Sequence, residues 1–167
     1  MANFSVEVTK REVDTLVQVA HFYERSMGPM RLVVRMTASA EIRQKYRFIA
    51  EESLWLEKMA RAQREQIAAS RCSSATLTLT PRALVAFWGR LLTSTRNRRA
   101  RKKLKGDELA VRETLSSKLL SVARQAQATV PQLLNQELAT RRPAEAAWMR
   151  EELSPSAPQI EEAFPPA

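Results

Sequence analysis

The stretch whose reading decides the fold is Thr80–Leu92, "TPRALVAFWGRLL". Thr80 can accept the first orphan N–H groups of a helix, and Pro81 fits its first turn because proline has no N–H to satisfy there. Leu84, Val85, Phe87, Trp88, Leu91 and Leu92 then recur at helical spacing and form one broad apolar face. The same residues pose a functional choice. Buried, they form a core helix; exposed, they make a surface suited to a membrane or to a partner's groove.

The apolar pattern stops after Leu92, and "RNRRARKKLKG" (Arg96–Gly106) follows, with seven of eleven residues basic and none acidic. Residues 66–106 carry ten basic side chains and no acid. Residues 1–65 have a net charge of +2 and 107–167 of −3, so the net +9 of the chain is concentrated in one quarter of it. A segregated charge of this kind makes a local field that collects polyanions. If the run is helical, Arg98–Lys102, Arg99–Lys103 and Arg101–Lys105 repel at i,i+4, each costing a few tenths of a kcal/mol. An anion that neutralises them removes that cost.

Arg96, Arg98, Arg99, Arg101, Lys102, Lys103 and Lys105 are therefore the candidate nucleic-acid-binding residues, with the phosphate backbone as their target. No aromatic lies among them, which disfavours base stacking from within the run and favours weakly sequence-selective binding. RNA and DNA fit equally. Further expected partners are protein neighbours in an assembly, or a second copy of the chain. The alternative is a membrane-surface or partner-groove protein that uses helix 81–92 together with the basic run. A bland reading also stands, in which the run is only a solvated helix end, or one paired with the chain's own acidic tail.

Upstream, "VTKREV" offers Thr9 and Glu12 as a capping box, flanked by Val8 and Val13 as a hydrophobic staple. Val13, Leu16, Val17, Ala20 and Tyr23 continue that helix, and Gly28 and Pro29 end it. "FSVEV" before it alternates as an extended segment does, but is short for a sheet. "MRLVVRM" (30–36) fits either a turn of helix or a short strand. Ser39 or Thr37 then caps a helix through about Ala69, on the order of 45 Å long at 1.5 Å per residue. Its stripe is Ile42, Ile49, Leu56, Ala60 and Ile67, broadened by Tyr46, Phe48, Trp55 and Met59. Arg43, Arg47, Glu51, Lys58, Arg61 and Glu65 lie opposite.

"SRCSSATLTLT" (70–80) reads as a Ser/Thr-rich linker, extended in part. Beyond the basic run, Gly106 closes one helix and Asp107 caps the next, whose face is Leu109, Leu115, Leu119, Val122, Ala123 and Ala126. Pro131 interrupts, and "PQLLNQELATR" and "PAEAAWMREEL" are two short helical stretches. From Ser154 the chain reads "SPSAPQIEEAFPPA", a disordered acidic, Pro-rich tail by composition.

The expected fold is thus all-α. A helical hairpin in 1–69, a linker at 70–80, a C-terminal helical set in 81–153 and a flexible tail at 154–167 make up the bundle. One cysteine, Cys72, allows no intrachain disulfide, and no run approaches the roughly 18 apolar residues of a membrane span. A soluble, intracellular protein is expected.

Little in the sequence speaks for catalysis. His21 is the only histidine, and Cys72 has no histidine nearby. With one of each, the usual zinc ligand sets cannot be built. Gly28, Gly89 and Gly106 stand alone, so no phosphate-cradling loop is present. Glu52 and Glu57 read as solvated partners of helix cations. The expectation is a non-enzyme with no cofactor and no metal.

Overall fold

The computed structural model describes residues 3–26, 39–71, 73–96, 102, 104 and 106–152. Within them the chain is mostly helical, with one small sheet. The elements in order are β1 (Phe4–Thr9), α1 (Lys10–Ser26), α2 (Ala40–Ser70), β2 (Ser74–Leu79), α3 (Pro81–Arg96), α4 (Gly106–Gln125), α5 (Val130–Ala139) and α6 (Pro143–Glu152).

The expected caps form. Thr9 Oγ1 accepts from the Glu12 N–H at 3.2 Å, and Glu12 Oε1 accepts from the Thr9 N–H at 3.3 Å. Val8 and Val13, the two halves of the staple, are both fully buried. Ser39 Oγ accepts from the Ile42 N–H at 3.5 Å, and Thr80 Oγ1 from the Ala83 N–H at 3.2 Å. At the start of α4 the helix begins one residue earlier than expected, with Gly106, so Asp107 sits in its first turn instead of capping it. Thr129 and Gln132 form a second capping box that makes α5 a helix of its own, with Pro131 in its first turn.

The sheet is the departure from an all-α reading. β1 and β2 pair antiparallel, with Phe4 opposite Leu79, Val6 opposite Leu77 and Val8 opposite Ala75. All of these except the half-buried Ala75 are buried, while Ser5, Glu7, Thr76 and Thr78 face out. The period-2 alternation in both segments thus lays one apolar face on the helices. The 70–80 stretch carries β2 and contributes Leu77 and Leu79 to the main core. A backbone bond from Lys10 N–H to Ser73 O (3.3 Å) ties the start of α1 to the approach to β2.

α3 is the central helix. Ala83, Leu84, Val85, Phe87, Trp88, Leu91 and Leu92 are all buried, and the helix touches α1, α2, β2, α4 and α5. α1 lies along α2, which supplies Leu56, Ala60 and Ile67 to the same core. The other half of α2 forms a second, smaller cluster in which Phe48 and Ile49 meet Leu138 of α5 and Ala146 and Met149 of α6. Ile42, expected in the stripe, is 40% exposed. "MRLVVRM", Gly28–Pro29, Cys72 and the tail 154–167 lie outside the described residues.

Candidate nucleic-acid interface

The basic run is strung between two anchored helix ends. α3 enters it with Ser94 and Thr95, both buried, whose hydroxyls donate back to Leu91 O (2.8 Å) and Leu92 O (3.1 Å). Arg96 is the last residue of α3. α4 leaves it at Gly106 and is held by Leu115 and Leu119, each with no exposed surface. Between these ends, Lys102 is exposed and Leu104 is half-buried. Arg98, Arg99, Arg101, Lys103 and Lys105 lie outside the described residues, so their spatial grouping rests on the sequence.

The acids that follow the run are engaged with the body of the protein. Asp107 Oδ2 lies 3.5 Å from Arg11 on α1, in an ion pair that is mostly solvent-exposed. Glu108 exerts its field on Arg112. Arg112 is itself 5% exposed and its Nε has no hydrogen-bond partner. Burial therefore lowers its pKa, and the Glu108 carboxylate offsets part of that.

The residues that hold the choice between partners are fully placed. Phe87, Trp88, Leu91 and Leu92 are 1%, 3%, 0% and 8% exposed. They belong to the core, so no apolar helix face adjoins the basic run. Among the described residues no helix is long and apolar enough to cross a membrane. Among them also, no group of three or more His, Cys, Asp or Glu is set to hold a metal ion.

A second charged site, not foreseen from the sequence, joins α2, α3 and α5. Glu52 Oε1 accepts from Arg82 and from Arg141 NH1 (2.9 Å). Glu137 Oε1 accepts from Arg141 NH2 (2.8 Å) and lies 3.6 Å from Arg82 Nε. The Arg82 guanidinium lies over the Trp55 ring, 3.9 Å from its centroid. Burial alone would lower the Arg141 pKa; its hydrogen bonds to Glu52 and Glu137 outweigh that and raise it. Glu52 is thus a structural ligand of two arginines. No sequence signal marked it, because its partners lie 30 and 89 positions away.

No protein-family model, curated protein or solved structure matches the chain.

Proposed function

We propose that the protein is a non-enzymatic, basic helical subunit that binds nucleic acid. It grips the phosphate backbone through Arg96, Arg98, Arg99, Arg101, Lys102, Lys103 and Lys105 and works within a larger assembly. The observation that carries this reading is the burial of Phe87, Trp88, Leu91 and Leu92. A membrane-surface or groove-binding helix needs that face, and here it is consumed by the protein's own core. What remains beside it is charge: ten cations without an acid across 66–106. Guanidinium forks and ammonium groups at this density suit phosphate oxygens. With no aromatic in the run, the contacts position a nucleic acid without reading its bases.

The test is replacement of Arg98, Arg99, Arg101, Lys102 and Lys103 by Gln. These side chains lie beyond the buried end of α3, so the fold survives the change. Affinity should drop for every sequence tried, and the slope of log affinity against log salt should fall by about four. Unchanged affinity would refute the assignment, and a loss confined to one sequence would point to base readout instead.

A further inference from the structure

α2, the first turn of α3 and α5 wall a groove of about 530 Å³. Its floor is apolar, made by Trp55, Pro81 and Leu133, and Arg82, Gln136 and Arg141 stand around it. Trp55 is only half-buried. Of the four charges in the network there, Arg82 is the most exposed, at 36%; Glu52 and Glu137 are at 13% and 14%. The charge offered to solvent is therefore a guanidinium. Arg82 Nε is buried and has no hydrogen-bond partner, so one donor on this wall is unanswered.

One segment of this chain has the matching chemistry. Residues 153–167, "LSPSAPQIEEAFPPA", lie outside the described residues and begin directly after α6 ends at Glu152. α6 starts just past Arg141 and packs on α2 and α5, two of the helices that wall the groove. Fully extended, the segment spans on the order of 50 Å, so reach does not limit it. Pro155 and Pro158 are three residues apart. That is one turn of a polyproline II helix, which places both rings on one side. Aromatic-lined grooves take such helices well because little conformational entropy remains to be lost. Glu161 and Glu162 follow one turn later and supply the carboxylate that an unanswered guanidinium N–H lacks.

We propose that residues 153–167 dock into this groove in the polyproline II conformation. Pro155 and Pro158 seat on Trp55 and Leu133, and a carboxylate of Glu161 or Glu162 accepts from Arg82 Nε. This surface is separate from the basic run, and the proposal does not depend on nucleic-acid binding.

The test uses the full chain with a nitroxide attached through Ala163→Cys in a Cys72→Ser background, read by amide NMR. The expected result is selective broadening of Leu133, Gln136, Thr140 and the Trp55 indole N–H. It should be undiminished on dilution and abolished by adding Pro155→Ser and Pro158→Ser, which leave the folded body untouched. Broadening centred on Lys102 and Leu104 would put the tail on the basic run and overturn the proposal. So would broadening that fades on dilution, which marks a second copy, or no selective broadening at all.

Discussion

Lys118 Nζ lies 2.5 Å from Glu12 Oε1, and the same oxygen accepts from the Thr9 N–H and hydroxyl at 3.3 and 3.2 Å. One carboxylate thus caps α1 and anchors α4 to it. Glu12 is 5% exposed, and its second oxygen has no partner. Lys118→Met removes the only cation on this buried carboxylate among the described contacts, and should cost about 2 kcal/mol in urea unfolding. Thr9→Ala removes only the cap and should cost about 1 kcal/mol. The reverse order would mean that the ion pair contributes little.

Trp88 and Trp55 should respond differently to truncation. Trp88 is 3% exposed in the centre of the fold, so Trp88→Ala should cost about 3–5 kcal/mol. Its indole N–H is buried without a partner, so Trp88→Phe deletes an unsatisfied donor and should cost less than about 1.5 kcal/mol. Trp55 is half-buried beneath Arg82, and Trp55→Ala should cost about 2 kcal/mol, part of it the cation–π contact. Equal losses at Trp55 and Trp88 would contradict the placement of α3 at the centre.

The two buried arginines should respond to replacement in opposite ways. Arg112 has no hydrogen bond to repay its desolvation, and its pKa is lowered for that reason. Arg112→Met should be neutral or stabilise the fold by up to about 1 kcal/mol. Arg141 is bound by both Glu52 and Glu137, which raise its pKa against the effect of burial. Arg141→Met strands both carboxylates and should cost about 3 kcal/mol. Thermal unfolding of the two variants side by side checks the contrast.

Local signals in the sequence were dependable and non-local ones were not. Thr9 with Glu12, and Thr80 with Pro81, announced their helices because a cap is made within four residues. The all-α expectation missed the sheet because β1 and β2 recognise each other across some seventy positions, and "TLTL" alone is only an alternating stretch. Ile42 kept the spacing of the stripe, yet spacing does not say where a partner helix runs out. The Glu52–Arg82–Arg141–Glu137 network was invisible for the same reason as the sheet. The basic run was the reverse case: its charge is plain in the sequence and its geometry is not, since like charges at i,i+4 specify no compact shape of their own.

The central claim is tested most directly by one titration of the purified protein against duplex DNA, structured RNA and anionic liposomes at 50 and 200 mM salt. If about six phosphates are neutralised, nucleic-acid affinity should fall on the order of a thousandfold between the two conditions, with little dependence on sequence. Tight, salt-resistant binding to liposomes with none to either nucleic acid would contradict the account. It would also require Trp88, Leu91 and Leu92 to leave the core.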